Sequence, residues 1–292
     1  MSKPIFTGAG VAIITPFKEN GVDFEKLGEL IDFQVKEGID SLIICGTTGE
    51  ASTMPDDEHK SVIKFAVDRV NKKIPVIAGT GSNDTNHAID LSKYAEKVGA
   101  DAILTVTPYY NKTNQKGLYK HFKAIADSVK IPVVLYNVPG RTNLNIEPET
   151  VKDLSQIDNI VAIKECNIEQ VADIINLCDD DFAVYSGNDN LALPLLSLGG
   201  KGLVSVMANV IPKQTHDMVD KYLSGDTEGA RKIQLKYMDL INAFFMDVSP
   251  IPLKEAMNLM GMNVGNCRLP LVGLEEEKVA ELKNVLKKYE LI

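Results

Sequence analysis

The sequence predicts an α/β chain, a (β/α)8 TIM barrel followed by a C-terminal helical appendix. Eight short apolar runs recur, each followed by a longer stretch of helical periodicity. The runs are rich in β-branched residues and nearly unbroken by polar ones, as suits parallel strands covered by helices. Their starts fall roughly 20 to 35 residues apart, the size of one βα unit, and eight such units are what a closed barrel needs. The rhythm stops after Gly225, so the chain divides into a barrel over 1–225 and a helical region over 226–292.

In order, the runs are VAIIT from Val11, SLIIC from Ser41, PVIAGT from Pro75, AILTV from Ala102, PVVLYN from Pro132, IVAIK from Ile160, FAVYSG from Phe182 and GLVSV from Gly202. Between the first two, Asp23 is placed to cap a helix that ends at Gly38. Thr53 or Asp56 can cap the helix after the second run, and Thr85 the one that ends at Gly99. After the fourth run, Leu118, Phe122 and Ile125 form one apolar stripe. A doubly wound sheet would carry a G-x-G-x-x-G fingerprint after its first strand. The nearest stretch is GTGSND at Gly79, after the third run and without the last glycine, so the barrel is preferred. Beyond Gly225 come three helical patterns: TEGARKIQLKYMDLINAFFM, IPLKEAMNLMG and EEEKVAELKNVLKKYE, the last with Leu282, Val285 and Leu286 on one face.

The 292 residues are 45% hydrophobic and 24% charged, with a net charge of -9. An acidic surface repels nucleic acid and anionic membranes, which argues against either partner. An anionic substrate must then meet a local positive site, and the arginines are few: Arg69, Arg141, Arg231 and Arg268. Cys45, Cys166, Cys178 and Cys267 form no C-x-x-C pair, which suits free thiols in a reducing cytoplasm. His59, His87, His121 and His216 have no i,i+4 spacing, so no metal site is expected. The opening stretch faintly resembles a leader, but Thr7, Gly8 and Gly10 break its apolar run, and a first strand reads better.

Chemistry in such barrels sits at the carboxyl ends of the strands. There the sequence places GTTGE (Gly46 to Glu50), TPYYN (Thr107 to Asn111), Tyr136 and then NVPGRT with Arg141, Lys164, and SGNDN with Gly187. Lys164 ends an apolar run, where an ammonium is costly to desolvate unless something uses it. If it faces the barrel interior, alternation turns Ala162 and Ile160 inward and Val161 and Ile163 outward. Tyr136 ends the neighbouring strand, within reach of the amine. An amine in a dry pocket is held partly neutral and is therefore nucleophilic. Taken singly, each residue has an ordinary explanation: a lysine that snorkels, a core tyrosine, a capping turn, an arginine in a surface pair. It is their gathering at one end of one barrel that points to catalysis.

Together, GTTGE, TPYYN, YNVPGRT, IKE and SGND resemble the class I aldolase family that includes dihydrodipicolinate synthase and N-acetylneuraminate lyase, from Gly8 through the C-terminal helices. The Thr-Thr of GTTGE and the arginine of VPGRT resemble the synthase branch. The resemblance implies a Schiff base between Lys164 and pyruvate, with Tyr136, Thr47 and Tyr110 as a hydroxyl relay. In that relay the tyrosine at 110 reaches in from a neighbouring subunit. It further implies that Thr48 holds the pyruvate carboxylate, that Gly187 and Val204 line the pocket, and that Arg141 binds the carboxylate of L-aspartate 4-semialdehyde. The product would be 4-hydroxy-tetrahydrodipicolinate, made without cofactor or metal by a homotetramer built as a dimer of dimers.

The same resemblance bears on regulation. Lysine-inhibited members bind lysine at the tight dimer interface, and Asn83, His59 and Tyr109 match that pattern. Asp56 stands where those enzymes have a histidine and His87 where they have a glutamate, so weak or absent inhibition by L-lysine is expected. Two other readings stay open: a sister lyase acting on N-acetylneuraminate or a keto-deoxy sugar acid, and a catalytically silent binding barrel.

Overall fold

The computed structural model describes residues 4–292; the first three residues of the leader-like opening stretch lie outside them. Eight parallel strands close into a barrel: β1 (Gly8–Ala12), β2 (Ser41–Ile44), β3 (Val76–Gly79), β4 (Ala102–Val106), β5 (Val133–Asn137), β6 (Ile160–Glu165), β7 (Ala183–Ser186) and β8 (Gly202–Ser205). Each pairs with the next in sequence, and β8 returns to β1. The helices that follow them are α1 (Phe24–Lys36), α2 (Asp56–Val70), α3 (Thr85–Lys97), α4 (Gln115–Asp127), α5 (Pro148–Ser155), α6 (Val171–Leu177), α7 (Ala192–Ser197) and α8 (Pro212–Leu223). After Gly225 come α9 (Thr227–Lys236), α10 (Met238–Ala243), α11 (Ile251–Leu259) and α12 (Glu276–Lys288). None of the described helices is long and apolar enough to cross a membrane.

Two apolar layers result from strand alternation. Ile43, Ile77, Leu104, Val134, Ala162 and Val204 point inward and fill the barrel. Leu42, Ile103, Leu135 and Ile163 point outward and pack with the helices. The amino-terminal end of the barrel is plugged by Phe6, which stacks on Tyr185 at 4.3 Å between ring centroids, while the Tyr185 hydroxyl donates to Phe6 O at 2.8 Å. Helix signals in the sequence act where expected at α1, whose cap Asp23 accepts from Lys26 N at 3.1 Å, and at α4, where Leu118, Phe122 and Ile125 are buried.

Several local expectations are corrected. The first strand begins at Gly8 and ends at Ala12, so it lies earlier than the run from Val11. Its glycines hid it, since glycine is depleted in strands, yet close backbone approach demands them. A side chain on Gly202 would collide with Gly8 O, and Gly8 pairs with Gly202. Ile160 faces the helices rather than the interior, because the β5–β6 register shifts between Val133 and Val134 and leaves Val161 as an extra residue. Such a bulge restores the alternation beyond it, so Ala162 and Lys164 still face inward. Asp84, not Thr85, caps α3 by accepting from Asn86 N at 2.9 Å, and Thr85 instead meets His121 Nδ1 at 2.9 Å. Neither Thr53 nor Asp56 caps α2. The long pattern after Gly225 is two helices, broken at Tyr237.

Candidate active site

Tyr136 and Lys164 are register partners on β5 and β6, at the carboxyl end of the barrel. The Lys164 amine lies 4.4 Å from the centroid of the Tyr136 ring, and the residue is only 7% exposed. None of the described residues hydrogen bonds this amine. Burial pushes its pKa below the ordinary lysine value and Arg141 adds to the shift, while Cys166 and Asp189 oppose it. The result is an amine that loses its proton more readily than one in water, held against a π face rather than tied up by an anion. The Tyr136 phenol is pushed up by burial, with Thr47 beside it on the cavity lining and Cys166 packed against the same interior layer.

The elements below hold this pair in place. Glu165, next to Lys164, alternates to the helix side and is 1% exposed. Its carboxylate accepts from Asn137 Nδ2 at 2.9 Å, Gln170 Nε2 at 2.9 Å and Asn167 N at 2.7 Å. Asn137 also anchors Ile146 N through its Oδ1 at 3.0 Å, so the ends of β5 and β6 share one buried polar network. Burial raises the Glu165 carboxyl to about 7, against the pull of those donors.

A cavity of about 490 Å³ opens beside Tyr136. Thr47, Tyr136, Val138 and Arg141 form one part of its wall, and Asp56, His59, His87 and Tyr109 another. Lys164 is not on that wall; its amine lies against Tyr136, which is. Arg141 sits on the one-turn helix Pro139–Thr142, exposed, with Nη2 donating to Ser249 O at 3.0 Å. That bond leaves the rest of the guanidinium fork free for an anion.

The structure therefore gathers Lys164, Tyr136, Thr47 and Arg141 at one mouth. Gly187 belongs there too: a side chain on it would collide with Cys166 Sγ and crowd Lys164 Cε. Val204 lies in the interior layer with Tyr136 and Ala162, and Thr48 is buried in its turn. Tyr110 stands apart, 93% exposed and with φ 69.

Two residues at the site escaped the sequence reading. Cys166 packs with the interior layer beside Tyr136, and burial lifts its thiol to about 11. Its spacing of two from Lys164 was the available signal, since alternation sends both to one side. Asp189, 1% exposed, accepts from Ser205 Oγ, from Val206 N at 2.9 Å and from Met207 N at 3.3 Å, tying the loop after β7 to the end of β8. Nothing local in SGND distinguishes such an anchor from a turn residue.

Known proteins resemble this chain over nearly its whole length. The model of the dihydrodipicolinate synthetase family matches residues 5–289. The 4-hydroxy-tetrahydrodipicolinate synthase of Acetivibrio thermocellus is 71% identical over 292 residues, covering 100% of both chains. That of Clostridium novyi is 55% identical over 98% of this chain and 97% of its own. A crystal structure of dihydrodipicolinate synthase from Aquifex aeolicus superposes with a TM-score of 0.96 at 46% identity, covering 98% of this chain and 99% of that one.

Proposed function

We propose that this chain, which belongs to the dihydrodipicolinate synthetase family, condenses pyruvate with L-aspartate 4-semialdehyde to give 4-hydroxy-tetrahydrodipicolinate, a step towards diaminopimelate and lysine. It is a lyase of the class I aldolase type. The observation that carries the reading is the buried amine of Lys164, hydrogen bonded by none of the described residues and held against Tyr136.

The neutral Lys164 amine attacks the ketone carbon of pyruvate, and the carbinolamine loses water to leave a protonated imine. That imine withdraws electrons, so C3 gives up a proton near neutral pH and an enamine forms. The enamine carbon attacks the aldehyde of the second substrate, and attack by that substrate's amine on the imine carbon closes the ring and frees Lys164. Tyr136 and Thr47 hand protons to and from the carbinolamine oxygen, with Tyr110 of a neighbouring copy as the outer member of the relay. Thr48, Gly187 and Val204 shape the seat of the pyruvate, and the planar fork of Arg141 receives the semialdehyde carboxylate in an otherwise acidic protein. A tyrosine as exposed as Tyr110 supports a homotetramer in which a second copy covers it. The barrel, residues 1–225, carries this chemistry, and the helical region, residues 226–292, closes over its side.

The test is an assay with pyruvate and L-aspartate 4-semialdehyde, the cyclised product being detected by coupling to a reductase. Turnover of N-acetylneuraminate or keto-deoxy sugar acids in place of this pair would move the chain to the sister lyases, and no turnover of either would leave a binding barrel.

A further inference from the structure

Glu50 and Lys254 form an ion pair at 2.6 Å with side chains 1% and 2% exposed. They come from distant parts of the chain. Glu50 closes the GTTGE turn in the left-handed conformation, φ 54 and ψ 37, while Lys254 lies on α11 in the helical region. Besides the Lys254 ammonium, Glu50 faces the amide of Arg268, which donates to Oε2 at 2.9 Å, and the thiol of Cys267, which burial lifts to about 12. The Arg268 guanidinium is itself paired with Glu58 of α2. Lys254 also donates to Asn266 O at 3.3 Å and lies 4.2 Å from the Phe17 ring centroid, which Arg268 Cζ approaches at 3.9 Å.

A buried ion pair is a poor stabiliser, since apolar side chains of equal volume hold a core at least as well. What it supplies is position. Glu50 N donates to Thr47 O at 3.0 Å, and Thr15 Oγ1 donates to Gly49 O at 2.7 Å, so the turn is held from the segment that follows β1 on one side and from the helical region on the other. Thr47, three residues before Glu50, lines the same cavity as Tyr136.

We propose that Lys254 is a positioning residue for the reaction: through Glu50 it sets the Thr47–Thr48 turn against Tyr136, so the helical region takes part in forming the pyruvate imine. This rests on the reading of Lys164 given above.

The variants are Lys254→Met, Glu50→Gln and the double Glu50→Gln/Lys254→Met. They are measured for imine formation with pyruvate (borohydride trapping), for kcat and KM with both substrates across pH, and for thermal unfolding. Lys254→Met is expected to slow imine formation roughly 10- to 100-fold, the scale of a misplaced catalytic group, while KM for the semialdehyde stays close to the parent's. In Lys254→Met the Glu50 carboxyl is buried without its counter-charge. The double variant carries no unpaired buried charge and should show the same slowing, so it tests the idea even where a single variant fails to fold. If folded Lys254→Met, or the double variant alone, trapped pyruvate at the parent's rate, Lys254 would be merely structural and the inference overturned. Absence of trapping in the parent would instead overturn the assignment of Lys164.

Discussion

Asp56 Oδ1 and His87 Nε2 lie 2.9 Å apart, joining the start of α2 to α3 on the wall of the cavity that also holds Arg141 and Tyr136. His87 Nδ1 lies 3.1 Å from Ser82 Oγ, so both ring nitrogens are engaged. The pairing draws the Asp56 carboxyl below its ordinary range. The resemblance read from the sequence implies a histidine and a glutamate at these two positions in lysine-inhibited members, the reverse of the pair here. On that reading a bound lysine would meet an imidazole where a carboxylate should face its ammonium, and a carboxylate already engaged by that imidazole. Weak or absent inhibition by L-lysine is therefore expected. A dose-response curve with half-maximal inhibition below about 1 mM, a binding energy of roughly 4 kcal/mol, would show that the exchange leaves the site intact.

Pyruvate with borohydride should add one covalent adduct, on Lys164. Peptide mapping after reduction locates it, and Lys164→Ala should abolish it. Undiminished labelling of that variant, or an adduct on another lysine, contradicts the Schiff-base assignment.

Arg141→Ala should leave imine formation with pyruvate largely intact and weaken use of the semialdehyde. Losing one charged hydrogen-bonded partner costs roughly 1.5 to 3 kcal/mol, or about 10- to 150-fold in kcat/KM. An equal loss with both substrates would mark the residue as structural, through its bond to Ser249 O.

Because only the neutral amine attacks, the rate of imine formation should rise with pH, with a midpoint below the ordinary lysine value of 10.5. A parent midpoint at or above the ordinary value would mean that burial does not tune this lysine.

Tyr110 should matter only in the assembly. Dilution or interface substitutions that yield monomers should reduce turnover, and Tyr110→Phe should reduce it within an intact oligomer. Sedimentation alongside activity decides this, and a fully active monomer would refute a role shared between copies.

Glu165 offers a check on the scaffold. Its carboxyl is raised above the unfolded value of 4.5 to about 7, so the folded state holds its proton more tightly and stability from this group falls as pH climbs through that window. Glu165→Gln should flatten the change in melting temperature between those pH values. An unchanged slope would assign the dependence elsewhere.

The barrel was legible because its signals are local and repeated. Eight apolar runs, the stripe of Leu118, Phe122 and Ile125, and the Asp23 cap each follow from backbone geometry within a dozen residues. The lysine at the end of β6 stood out for the same reason, as a charge where the local pattern allows none. Tertiary structure alone decided what depends on residues far apart. The register shift beside Val161 turns Ile160 outward, because β6 must meet both the interior layer and its neighbour β5. The glycines of β1 mark a strand only once Gly202 lies against Gly8. Lys254 and Glu50 read as two unremarkable charges until folding brings them to 2.6 Å. Local patterns fix periodicity and burial, whereas the partner of a buried charge is set by chain closure over long separations, which no short window of sequence contains.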